Sequence, residues 1–143
     1  MTTVTKGSKV EGLQTDQHQL LLQAWESVFA GVPITYLSGP ITTGPRFIAW
    51  FRRIGQALRD DVGAYQDALL KDVVFPNNRD IWETAALLRR RTREPVLEPA
   101  TLSIKDWKQR DYLALWDRVI ERFAGRLIVM PGWQFSAGCA SEV

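Results

Sequence analysis

The stretch ITYLSGPITTGP, residues 34–45, decides the fold. Ile34-Thr35-Tyr36-Leu37 is β-branched and aromatic, short, and bounded by Pro33 before it and Ser38-Gly39-Pro40 after it. That composition predicts a buried strand. The exit behind it, Ser38 to Gly44, is rich in glycine and hydroxyls, and Pro45 stands where a first helical turn tolerates proline. Strand, small-residue loop and helix in that order are the opening of a layered α/β unit.

On the N-terminal side, Thr15-Asp16 can cap a helix from about Gln17 to Ala30. Leu20, Leu21, Ala24, Trp25 and Val28 are expected on its buried face. MTTVTKGSKVEG, residues 1–12, is polar and aperiodic, so residues 1–14 are expected to be a flexible leader. On the C-terminal side, Phe47, Ile48, Phe51, Ile54 and Leu58 recur at helical spacing, and Val62 to Lys71 predicts a further short helix. Val73-Val74-Phe75-Pro76-Asn77-Asn78 is expected to break it, with Asn77 or Asn78 capping a helix from about Asp80 to Arg91. Glu94 to Pro99 predicts a short strand between prolines. Ser103 to Lys105 is expected to open a long helix carrying Tyr112, Leu113, Leu115, Trp116, Val119, Ile120 and Phe123 on a wide apolar stripe. Ala124-Gly125 ends it. Leu127 to Met130 is a continuous apolar run, the pattern of a strand buried on both faces. Strands separated by helices imply a mostly parallel sheet.

At 143 residues with 45% hydrophobic and 24% charged side chains, the chain has the composition of one globular domain. The domain is expected to span residues 15–143, with a helical insertion at about 45–73. The leader has no apolar core of the kind a signal peptide carries, and no run approaches a membrane span. A single cysteine, Cys139, excludes an internal disulfide framework and fits the cytoplasm. A net charge of +2 does not call for nucleic acid. The basic run Arg89-Arg90-Arg91-Thr92-Arg93 is expected to close a helix, whose C-terminus favours cations.

Ligands of open α/β sheets sit at the carboxyl ends of the strands. Three such exits are visible: Ser38 to Gly44, Glu98-Pro99-Ala100, and Pro131 to Gly138. Gly39 and Gly44 have phosphate-loop separation, but Pro45 and Arg46 occupy the places of the lysine and hydroxyl that a nucleotide triphosphatase needs. One histidine and one cysteine without clustered spacing do not make a metal site, and no cofactor is implied. His18, remote from every exit, is expected to face solvent. What remains is carboxylate chemistry. In MPGWQFSAGCASEV, residues 130–143, Glu142 follows Gly138 by about one helical turn. Cys139, in that same turn, is expected to be a packing residue. Asp117 and Asp111, on the long helix, are the other acids.

YLSGPITTG, FPNNRDIWETAALLRR, PVLEPATL and LIVMPGWQFSAGCASE, in that order from Tyr36 to Glu142, resemble the nucleoside 2-deoxyribosyltransferase-like superfamily, in particular a small branch with SGPxTG and PGWxxSxGAxxE motifs. The resemblance implies a flavodoxin-like three-layer α/β sandwich and cleavage or exchange of an N-glycosidic bond in a nucleoside or nucleotide. It makes Glu142 the nucleophile and Asp117 its assistant, with Asp111 in reserve. Ser38, Gly39 and Pro40 would line the base or sugar pocket, Ser136 and Gly138 would face the sugar or a 5′-phosphate, and Trp133 would wall the pocket. It also implies a homo-oligomer, without metal or cofactor.

The chain departs from that pattern in three places. Residues 45–73 stand where the family has a short loop, and are expected to form a lid or an interface. Gly125-Arg126 replaces an aspartate. The family's glutamate helix continues and a further strand follows it, so the fold is expected to be incomplete at its C-terminal end. Two other roles compete with catalysis: a nucleotide-binding module without turnover, and an oligomeric scaffold.

Overall fold

The structure, a computed structural model, describes residues 6–142. Its centre is a three-stranded, wholly parallel sheet in the order β2-β1-β3. β1 is Ile34–Ser38, β2 is Val96–Leu97 and β3 is Ala124–Val129. The stretch that predicts a buried strand therefore forms the middle one, and all five of its residues are buried.

Alternation along β1 sends side chains to opposite faces. Ile34 and Tyr36 pack against Leu22 and Phe29 of α1 (Lys6–Phe29) and against Leu115, Trp116 and Val119 of α6 (Gln109–Phe123). Leu37 packs the other way, against Ile81 and Ala85 of α5 (Phe75–Arg91) and Val96 of β2. Each such buried side chain contributes about 1.5–3 kcal/mol.

The first helix begins at Lys6 rather than at Gln17, so Thr15 and Asp16 lie inside it and do not cap it; residues 1–5 of the expected leader lie outside the described residues. Once a helix is nucleated by a packed half, each further residue adds a hydrogen bond cheaply, and the glycines at 7 and 12 do not stop it. Its buried face is also rotated from the expected one. Leu20 and Val28 are exposed, while His18, Leu22 and Phe29 are buried and Trp25 packs against the same core. The spacing 18, 22, 25, 29 makes one helical face. His18 is thus a core residue, edge-on to Trp107 with ring centroids 4.8 Å apart.

The insertion is a helical hairpin. α2 (Pro45–Trp50), a π-helical turn (Phe51–Gly55) and α3 (Gln56–Leu58) form its first arm. α4 (Val62–Leu69), capped by the Asp61 carboxylate, forms the second. Trp50 is the hairpin's core: its indole donates to Asp72 at 3.1 Å, and its ring meets Tyr65 edge-on. A methyl on Gly55 would lie 2.5 Å from the Trp50 ring, so only glycine leaves room there. The expected break at residues 73–78 is absent. A π-helical turn, Leu70–Val74, runs straight into α5, with Pro76 in the first turn of that helix. The change in hydrogen-bond register frees Pro76 from needing the N–H it lacks. Asn77 is consequently no cap. It is buried, and its amide donates to the Ile41 carbonyl at 2.9 Å, tying α5 to the β1 exit.

α5 closes on Arg89, Arg90 and Arg91, as the basic run predicts. α6 starts at Gln109, later than Ser103, because the Asp111 carboxylate receives the Lys108 N–H at 2.7 Å and fixes the first turn there. β3 follows α6 without a loop and is only partly buried, not enclosed on both faces, because β1 takes the central place and leaves β3 at an edge. Its pairing skips Gly125 between Ile34↔Ala124 and Thr35↔Arg126, a bulge that seats Gly125 against Pro33. No described helix is long and apolar enough to cross a membrane.

Candidate active site

All three strand exits meet at one end of the sheet. The β1 exit contributes Gly39, Ile41, Thr42 and Thr43 to a cavity of about 300 Å³. The β2 exit contributes Pro99 and Ala100, and the β3 exit contributes Ser136, Cys139 and Glu142. Tyr112, Leu113 and Trp116 of α6 close the side. The exit of β3 owes its path to Gly132, whose φ of 84° is left-handed and whose missing side chain lets the turn approach Pro45. Ser136 then precedes the short helix α7 (Ala137–Glu142) and takes a hydrogen bond from Thr43, joining the first exit to the third.

Glu142 is the acid in this cavity wall. Ser38 and Tyr36 have side chains on one face of β1, two residues apart, and both hydroxyls donate to its carboxylate. Tyr36 donates at 2.7 Å to Oε1, and Ser38 donates to Oε2. Burial raises the Glu142 pKa above the ordinary carboxylate range; the bonds from Ser38 and Tyr36 lower it, and the Asp117 charge raises it. Burial also drives the Tyr36 phenol far above its ordinary range, reinforced by the Glu142 charge. Tyr36 therefore stays protonated and remains a donor.

The residues named from sequence fall into three groups. Glu142, Ser38, Gly39 and Ser136 come together: Gly39, Ser136 and Glu142 line the cavity and Ser38 holds Glu142 from behind. A methyl on Gly39 would come within 2.7 Å of Ile81 and Met130, so a larger residue would not fit between them. Gly138 lies within α7. Pro40, Trp133 and Asp117 do not line the cavity. Pro40 is buried beneath Gly44, and the wall at the third exit is supplied beyond Trp133, by Ser136 and Cys139. Asp117 is exposed because its neighbours Leu115, Trp116 and Val119 claim the sheet-facing side of α6; it acts on Glu142 through charge alone. Asp111 is occupied in the first turn of α6. Cys139 is buried, as a packing residue would be, and also reaches the cavity.

Two contributors, Tyr36 and Trp116, escaped the sequence reading. Tyr36 reads as an interior strand residue, although its two-residue offset from Ser38 already puts both on one face. Trp116 reads as core stripe, yet it both packs on Tyr36, with centroids 5.9 Å apart, and lines the cavity. Glu98, expected at the second exit, is buried and receives the Ala100 N–H at 2.6 Å, shaping that exit. Among the described residues, none of the 45–73 hairpin lines the cavity.

No cluster of three or more His, Cys, Asp or Glu side chains able to hold a metal lies among the described residues. No family model matches the chain, and neither a curated protein nor a solved structure matches it.

Proposed function

We propose that this protein cleaves or transfers the N-glycosidic bond of a nucleoside or nucleotide, with Glu142 as nucleophile, on a flavodoxin-like three-layer scaffold of the nucleoside 2-deoxyribosyltransferase-like kind. The observation that carries this reading is the partly buried Glu142 carboxylate, gripped by two strand hydroxyls at the wall of a cavity where three strand exits converge.

The chemistry follows from that arrangement. A Glu142 oxygen attacks the anomeric carbon as the C–N bond breaks, and the base leaves with the bonding electron pair and takes up a proton. Water, or a second base, then displaces Glu142 and restores the carboxylate. Tyr36 and Ser38 hold the carboxylate in one orientation, which removes the rotational cost of reaching the attacking position. Trp116 offers a flat wall against which a base can pack. Asp117, outside the cavity, acts on the ionisation of Glu142. A homo-oligomer in the cytoplasm belongs to the same proposal.

One observation favours a second reading, binding without turnover. Both Glu142 oxygens already accept hydrogen bonds, and burial disfavours the ionised form that attack requires.

Chromatography of reactions with nucleosides and nucleoside monophosphates separates the two. Free base is expected from the wild type, falling by on the order of 10³-fold or more in Glu142→Ala, as for removal of a nucleophile. Binding with no base released would reject catalysis and leave the binding module.

A further inference from the structure

The cavity wall has an unusual charge balance for a nucleotide site. Among the described residues its polar side chains other than Glu142 carry no carboxylate, among them Thr42, Thr43, Asn78, Ser103 and Gln109. Among the described residues, no Lys, Arg or His lines it. The cations nearest in sequence do not line it: Arg79, beside Asn78, is exposed and stays off the wall. Arg46, three residues beyond Thr43, pairs with Asp80 through Nη2 at 2.9 Å, while its buried Nη1 has no hydrogen-bond partner. Lys105, Lys108 and Arg110, which flank Ser103 and Gln109, are exposed and do not line the cavity.

Glu142 is the acid on the described wall, and two further acids act from outside it. The Asp117 charge acts on Glu142, and the charge of the buried Glu98 acts on Tyr36. A 5′-phosphate carries about −1.5 to −2 charges near neutrality. Bringing it here would desolvate it beside the Glu142 carboxylate with no cation on the described wall to neutralise it, which ion burial penalises heavily. Sugar hydroxyls and base edges meet no such penalty, because hydroxyl and amide side chains can both donate and accept to them. The volume of about 300 Å³ lies at the small end of ligand pockets, roughly 300–1,000 Å³.

From this balance we infer that the cavity takes an uncharged nucleoside and rejects nucleoside 5′-phosphates, with Glu142 both at the reacting centre and the main source of the rejection. The inference rests on the glycosidic reading of the site and specifies its substrate.

Calorimetric titration of the whole chain with matched pairs, adenosine against its 5′-monophosphate and uridine against its own, tests it. Each nucleoside is expected to bind at least about tenfold more tightly than its monophosphate, the equivalent of about 1.4 kcal/mol. The Glu142→Gln variant, which removes the charge at nearly constant shape, is expected to narrow that ratio. Equal or tighter binding of the monophosphate overturns the inference, as does a ratio that Glu142→Gln leaves unchanged. Binding of neither ligand overturns it together with the glycosidic reading. Nucleoside binding at the expected ratio, without base release by chromatography, upholds the inference and rejects only the catalytic reading.

Discussion

Tyr36, in the central strand, donates its hydroxyl hydrogen to Glu142 Oε1 at 2.7 Å across 106 residues of chain. The bond stabilises the ionised carboxylate against the burial that disfavours it. Tyr36→Phe removes the donor and keeps the ring that packs on Trp116. Glu142 should then hold its proton to higher pH. Because attack needs the carboxylate, the acid limb of the pH–rate profile is expected to move to higher pH, while the plateau above it falls less. An acid limb that stays in place would separate Tyr36 from the ionisation of Glu142.

His18 makes a second pH-dependent contribution, at the other side of the fold. Burial lowers its pKa from 6.5, helped by the Arg118 charge, while the Asp111 charge and a backbone bond at Asp111 oppose this. Its Nε2 is buried without a hydrogen-bond partner. The folded state therefore binds the proton less readily than the unfolded chain does. The corresponding stability is present above the ordinary histidine pKa and is lost as pH falls through the lowered one. The urea midpoint is expected to drop on acidification below about pH 6.5. His18→Phe, which keeps an aromatic edge for Trp107, should flatten that drop; the same slope in the variant would assign it to other groups.

Two left-handed glycines differ in a way that urea titration can resolve. Gly31 has φ 80° with open space around it, whereas Gly132 has φ 84° and would place a methyl 2.5 Å from Pro45. Gly31→Ala is expected to cost only the backbone penalty of about 1–2 kcal/mol. Gly132→Ala adds a collision with a rigid ring, and overpacking of that kind costs roughly another 1–3 kcal/mol. It should also lower activity, since the turn it strains carries Ser136 and Glu142 to the cavity. Equal losses in the two variants would mean that the Pro45 contact yields freely.

Much of this architecture is legible in the chain because it is encoded locally. ITYL reads as a strand from four adjacent residues, which the structure extends to Ser38, and Pro45 opens a helix where its fixed φ suits one. The stripe from Leu115 to Val119 reads as a buried face from its spacing. The failures share a cause. The break expected at Pro76, the cap expected at Asn77 and the outward His18 are each sound for an isolated segment. Packing overrides all three: a π-helical turn accommodates Pro76, Ile41 claims the Asn77 amide, and Trp107 covers His18.

The candidate site divides the same way. Sequence alone determined which segments are strands and helices, that their exits carry small and hydroxyl residues, and that Glu142 stands one turn into the last of them, because these depend on residues a few positions apart. Tertiary structure decided that β1 lies between β2 and β3, that Tyr36 and Ser38 rather than Asp117 reach the Glu142 carboxylate, and that no lysine or arginine among the described residues shares its cavity. The bonds to Glu142 join groups more than a hundred residues apart. All of these relations exist because burying the faces of one short strand forces its side chains against whatever the rest of the chain brings to them.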